Sequence, residues 1–321
     1  MNEVAGRACP LAYRYGAAAL AGSPAIAAET LYVIGGLYGN SQSLDQVQAM
    51  VQAESTPVTL VFNGDFNWFN IDDDSFRRVN QAVLQHDALQ GNVEFELNGT
   101  DSDSGCGCAY PDTVDQATVD RSNRIHARLK ATARRHPDIL AQLAALPLFA
   151  RYAVGVMTVG VVHGDGDALA GWLFDTVEMG KPENQDRISS MFSQSRVNIF
   201  ASTHTCLPAL RRFELAQGRH GIVINNGAAG MPNFQDQPGG LLTRISVHPS
   251  PHPSRYGAAL GGVFVDGLSI EYDSALWQKN FLASWPSGSD AHDSYFSRIE
   301  RGPSYKLAQA THQELAGVTA E

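Results

Sequence analysis

Cationic side chains are scarce in this chain: 23 Lys and Arg stand against 33 Asp and Glu, a formal net charge of −10 over 321 residues. That balance excludes a broad surface for nucleic acid or an anionic membrane, since both need clustered positive charge. One small phosphate ligand in a locally positive pocket remains compatible with it. Long hydrophobic runs are missing too, and none reaches the ~20 apolar residues that a bilayer span needs. The alanine-rich stretch 11–28 ends in small residues, but Arg14 and two tyrosines interrupt it, which makes it a poor signal peptide. Cysteine is rare, with Cys9, Cys106, Cys108 and Cys206 alone. Four are too few for a disulfide scaffold at this length, so the expectation is a cytoplasmic protein with reduced thiols. Internal repeats, coiled-coil heptads and low-complexity tracts are absent. What is plentiful is apolar content, 44% of residues, enough for a sizeable core in one large domain or two small ones. Oligomeric state is left open.

The chain is organised around residues 57–70, PVTLVFNGDFNWFN. Residues 58–62 are a β-branched apolar run of the kind that makes a strand buried on both faces. It runs into Asn63, Gly64 and Asp65, a turn-permissive glycine followed by one carboxylate. Ligands of open α/β sheets sit outside the carboxyl ends of strands, which is where Asp65 falls. A lone Gly-Asp pair more often caps a loop, so companions at other strand ends decide the matter.

In chain order, residues 1–29 read as a leader packed on the domain surface, 30–285 as the main domain and 286–321 as an extension with a loosely held tail. Residues 30–34 form the first strand, closed by Gly35, Gly36 and Gly39. Leu44, Val47 and Val51 then recur at helical spacing behind a cap at Asn40 or Ser43, and Phe76, Val79 and Val83 mark a second helix. Asp72, Asp73 and Asp74 precede that second helix, where carboxylates suit the positive helix end better than a metal cluster. Residues 98–113 are loop, and 119–135 a helix whose six basic residues read as a solvated face rather than a substrate-steering one. A short helix at 138–146 stops at Pro147. The run AVGVMTVGVVHGD, the strands at 197–201 and 221–224, hairpin-like strands beyond Pro238 and the helical SALWQKNFLASW complete the chain. His248 and His252 lie in loop composition and read as surface residues.

Metal-competent side chains thus recur at the ends of apolar runs: Asp65, Asn92, His163 and His204, with Asn225 and Asn226 behind them. Either histidine alone is more often a packing residue. Together, one carboxylate, one amide oxygen and two imidazoles form a mixed O/N set suited to Mn, Fe, Zn or Ni. The ordered blocks VIGGLYGN, NGDF, GNVE, VHGD, THTCLP and NNGAAGMP resemble those of the calcineurin-like metallophosphoesterases, in particular their compact bacterial phosphatase and phosphodiesterase branch, over residues 30–235. The resemblance implies a four-layer αββα sandwich of two mixed sheets, a small phosphoester as substrate or ligand, and two metals bridged by Asp65. It also implies that Asn92, His163 and His204 complete one metal site.

The departures fall together. Ligands of the other site would stand at Gly36, Tyr38 and Cys206, and the family's general-acid histidine is replaced by Val93. Glycine has no donor, and tyrosine is normally protonated near neutral pH, whereas Cys206 still suits a softer ion. Two readings follow. One is a divergent phosphoester hydrolase with a single metal, in which Asp65, His163 and Tyr38 serve catalysis and Cys206, with Cys106 and Cys108, rebuilds the lost site. The other is an inactive module that binds metal or a phosphate-containing ligand, its 35–39 glycine loop offering backbone N–H groups.

Overall fold

In the computed structural model of the chain, described over residues 5–7, 9–99 and 104–311, two six-stranded mixed sheets lie face to face. One has the order β11 (Ser254–Leu260), β12 (Val263–Ile270), β10 (Gly240–Ser246), β2 (Thr30–Ile34), β3 (Val58–Asn63) and β4 (Asp87–Leu89). The other runs β1 (Ile26–Ala27), β5 (Phe149–Val154), β6 (Met157–Val162), β7 (Ile199–Ser202), β9 (His220–Asn226) and β8 (Pro208–Glu214). Strands β2, β3 and β4 are mutually parallel, as are β6, β7 and β9.

The period of two in strand side chains sorts the core into layers. Leu31, Val33 and Val61 meet Val159, Val161, Ile199 and Ile224 between the sheets. Their neighbours Tyr32, Ile34, Leu60 and Phe62 face outward instead. There they pack under α2 (Ser41–Gln52), α3 (Asp73–Val83), α4 (Asn92–Leu97), α5 (Gln116–Ala133), α6 (Pro137–Ala144), α8 (Ser274–Ser284) and α9 (Asp290–Arg301). On the far side Val162 and Phe200 pack with α1 (Ala17–Gly22) and α7 (Gln185–Ser195). The short α10 (Leu307–Ala310) packs on β8, and the rest of the expected tail, 312–321, lies outside the described residues. This is the four-layer αββα sandwich that the resemblance implies.

Local chemistry explains several boundaries. Asn40 caps α2 by accepting from the Ser43 N–H, and Asp72 caps α3 by accepting from Ser75. Asp73 pairs with Arg135 and His136, so the acidic triplet is helix-end chemistry. The expected single run AVGVMTVGVVHGD is instead a hairpin, since Gly155 takes φ 55° and exposes Val156 at the turn between β5 and β6. Residues 9–28 add buried Tyr13, Ala17 and Leu20 and the edge strand β1, paired in parallel with β5. The basic face of α5 is occupied by the protein itself: Arg124 pairs with Asp290, Arg121 bonds Ser294, and Arg128 stacks over Trp285.

Candidate metal centre

Both sheets turn their carboxyl ends toward one spot. β3 ends in Asn63, whose Nδ2 donates to the Val162 carbonyl at 2.8 Å and so ties its end to that of β6. Gly64 then adopts φ 77°; a Cβ there would meet the Gly91 backbone and come within 2.7 Å of His163 Nδ1. Gly91 is equally constrained, since a Cβ on it would lie 2.6 Å from the Asp65 backbone nitrogen. These two glycines let three loops close on one point. The His163 carbonyl accepts from the N–H groups of Thr203 and His204, at 3.1 and 2.9 Å, which seats the loop after β7.

Asp65, Asn92, His163 and His204 converge there, all buried. His163 Nε2 lies 3.4 Å from Asp65 Oδ1, 3.1 Å from Asn92 Oδ1 and 3.2 Å from His204 Nδ1. Asp65, His163 and His204 each offer a ligand atom within 4.8 Å of the others. For bonds of about 2.1 Å, adjacent ligand atoms stand roughly 3.0–3.4 Å apart in octahedral or tetrahedral arrangements, so the spacings fit one cation.

Outer hydrogen bonds decide which atoms face inward. His163 Nδ1 lies 2.8 Å from the Asn63 carbonyl and His204 Nε2 lies 3.1 Å from the Cys108 carbonyl. A carbonyl only accepts, so both of those nitrogens carry N–H, and in the neutral rings the other nitrogen presents a lone pair. Asn92 Nδ2 donates to the Cys106 carbonyl at 2.9 Å, which turns its oxygen inward. Four acceptors therefore face one another, and the Val93 backbone N–H on Asp65 Oδ1 is the one protein donor among the described residues that reaches them. A cation satisfies that arrangement, either a proton on His163 or a metal.

The electrostatics agree. Burial works against ionised Asp65, yet the His163 imidazole outweighs it and holds the carboxyl below its usual range. Burial likewise lowers His163, but the charge and hydrogen bond of Asp65, with the Asn63 carbonyl and the Glu94 charge, together reverse this and raise it. Burial, reinforced by His163, drives His204 down to about 3, so that ring stays neutral. Beneath them lies Glu94, fully buried, whose carboxylate accepts from the backbone N–H groups of Asp65 (2.7 Å), Gly91 (3.2 Å) and Asn67 (3.2 Å). Burial and then the Asp65 charge push it up to about 7. Its signal was present in the sequence as the G-x-x-E spacing of a helix start, Gly91 to Glu94.

The positions that the resemblance assigns to a second site hold a different structure. Tyr38 OH and Cys206 Sγ lie 3.0 Å apart, and the thiol also lies 3.2 Å from the His204 carbonyl. The tyrosine ring covers Gly36, where a Cβ would come within 2.8 Å of its Cζ and hydroxyl. Tyr38, Asp65 and Cys206 all take left-handed backbone, with φ of 55°, 53° and 61°. Each costs on the order of 1 kcal/mol, and such outliers gather at functional sites. Burial raises both the Tyr38 hydroxyl and the Cys206 thiol, so neither is a ready anion. The expectation that Cys106 and Cys108 are reduced and supply thiolate ligands is corrected. They are paired with each other across Gly107, and what faces the site from them is their carbonyls. Val93, at the position of the missing general acid, donates its backbone N–H to Asp65 Oδ1 at 3.2 Å.

A cavity of about 180 Å³ opens beside the four donors, lined among others by Tyr38, Trp172, Tyr295 and Arg298. None of the last three was singled out from the sequence. No family model and no curated protein sequence matches the chain. Solved structures do match it in architecture. A metallophosphoesterase from Sphaerobacter thermophilus is 15% identical, with a TM-score of 0.53 over 86% of this chain and 99% of its own. A hypothetical protein from Pyrococcus horikoshii is 12% identical, with a TM-score of 0.56 over 86% and 99%. The chain therefore has the calcineurin-like metallophosphoesterase fold.

Proposed function

From that fold as premise, we propose that this chain is a metal-dependent phosphoester hydrolase that works with one divalent cation. Asp65, Asn92, His163 and His204 would hold it, and the observation that carries the reading is the convergence of their four inward-facing acceptors with no side-chain donor between them. The mixed O/N set suits Mn, Fe, Zn or Ni. The chemistry such a cation would supply is polarisation of a phosphoryl oxygen and activation of water near neutral pH.

The remaining roles belong to the protein. Asp65 brings negative charge to the donor set, and Glu94 holds the loops that carry Asp65 and Asn92. Tyr38 keeps its proton, so its hydroxyl can donate to a leaving-group oxygen where Val93 offers no side-chain acid. A specific observation favours a second reading, a binding module without turnover: the Tyr38–Cys206 contact fills the second-metal position.

The two readings separate in one assay. Phosphomonoesters and phosphodiesters are screened with each metal, with Asp65→Ala as the blank. The hydrolase reading expects turnover that Asp65→Ala abolishes and Tyr38→Phe lowers roughly 10²-fold or more. Metal retention with no turnover on any ester class selects the binding module.

A further inference from the structure

One cation lines the cavity. Arg298, on α9, donates from Nε to the Pro232 carbonyl at 3.1 Å and from Nη2 to the Cys206 carbonyl at 2.7 Å. Those two bonds fix the guanidinium plane, and among the described residues Nη1 has no hydrogen-bond partner and Arg298 makes no ion pair. In a chain this acidic, an arginine anchored only by neutral carbonyls beside a set of metal-competent donors is a residue held for an anion. Its fork of donors matches phosphate oxygens.

Aromatic side chains supply much of the remaining lining, beside Val93, Cys108, Thr205 and Cys206. Trp172 and Tyr110 form one pair, with ring centroids 6.2 Å apart, and Trp68 and Tyr295 another at 6.3 Å. Trp172 is keyed to the donor cluster: its Nε1 donates to the same Cys108 carbonyl that receives His204 Nε2. Its ring also meets the His204 ring edge-on, with centroids 5.4 Å apart. Flat apolar walls of this kind suit a planar ring. The cavity, about 180 Å³ and open to solvent, has room for a phosphoryl group and one ring beside the four donors.

We propose that Arg298 is the phosphate-binding residue of this cavity, and that its aromatic walls select esters of a small planar alcohol, aryl phosphates in particular. The proposal rests on the reading of the four-donor cluster as a metal centre.

Its test uses the full chain reconstituted with Mn and two non-hydrolysable probes, phenylphosphonate and methylphosphonate, with binding measured by calorimetry and metal content by elemental analysis. The wild type is expected to prefer phenylphosphonate about 10-fold or more, as one buried ring warrants. Arg298→Gln is expected to weaken both probes roughly 10- to 100-fold with metal content unchanged, and Arg298→Lys to recover part of that loss. Trp172→Leu should remove the phenyl preference and leave methylphosphonate binding in place. A purely structural arginine would instead lower thermal stability and metal content together in Arg298→Gln, and that result overturns the proposal. Unchanged probe affinity in Arg298→Gln, an absent phenyl preference, or no binding of either probe by the metal-loaded wild type overturns it as well. Wild type that retains no metal marks failure of the underlying metal reading, which elemental analysis reports separately.

Discussion

Glu94 offers the sharpest test of how the site is supported. Its buried carboxylate is the acceptor for three backbone N–H groups, from Asp65, Gly91 and Asn67. Glu94→Ala leaves all three unpaired. A buried donor without a partner costs about 1–3 kcal/mol, and water entering the vacated space recovers part of that, so the expected loss is about 4 kcal/mol. For a domain of this size that lowers the melting temperature on the order of 10 °C. Glu94→Gln keeps the volume and one acceptor oxygen but turns an N–H toward a donor, and should cost about half as much. Because the carboxyl is pushed up to about 7, its ionisation above that pH costs stability and would mask part of the loss, so the comparison belongs at about pH 6, below the raised value. Chemical denaturation of the metal-free proteins gives the stabilities, and titration of each with metal shows whether the Asp65 and Asn92 loops have lost their geometry. If Glu94→Ala stays within about 0.5 kcal/mol of wild type, the account of what holds these loops is wrong.

Two further outcomes follow from neighbouring residues. His126 is buried against the Val93 carbonyl at 3.1 Å, and burial lowers its pKa from 6.5 to about 4. The folded state then binds fewer protons than the unfolded one across that window, so stability is present above pH 6.5 and about 3 kcal/mol is lost as pH falls toward 4. His126→Gln should flatten that acid slope in denaturation curves; an unchanged slope would contradict the assignment. Gly36→Asp places a Cβ 2.8 Å from the Tyr38 ring and should destabilise by about 1–3 kcal/mol, checked by thermal melting. Combining it with Tyr38→His and Cys206→His relieves the clash, restores the second donor set, and should raise bound metal from one ion per chain to two by elemental analysis.

Much of the architecture was legible because it rests on local signals. The start of α2, with its cap open between Asn40 and Ser43, the acidic start of α3 at Asp72, Asp73 and Asp74, and the apolar strand leading to Asp65 were readable from a few residues each. So was the ordered set of strand-end donors. What escaped was set by distant contacts or by exposure. Strands β8 and β11 flank their sheets and carry exposed polar positions, so PALRRFE and SRYGAAL lack the apolar run of a central strand. Helix α9 buries only Ala291 and Ile299 completely and docks through Arg124–Asp290 at 2.7 Å, a partnership invisible in DAHDSYFSRIER alone. Arg298 arrives at the cavity only because that helix folds back over α5. The pairing of Cys106 with Cys108 was likewise unreadable, since reduced thiols are the ordinary expectation for so few cysteines.

The central claim is that four lone-pair donors, brought from β3, α4, β6 and β7, await one cation. Elemental analysis of the purified chain after separate reconstitution with Mn, Zn and Fe tests it directly. The account predicts one ion per wild-type chain with at least one of these metals, and none in Asp65→Ala or His163→Ala variants that remain folded. A folded wild-type protein that stays metal-free after every reconstitution would contradict it.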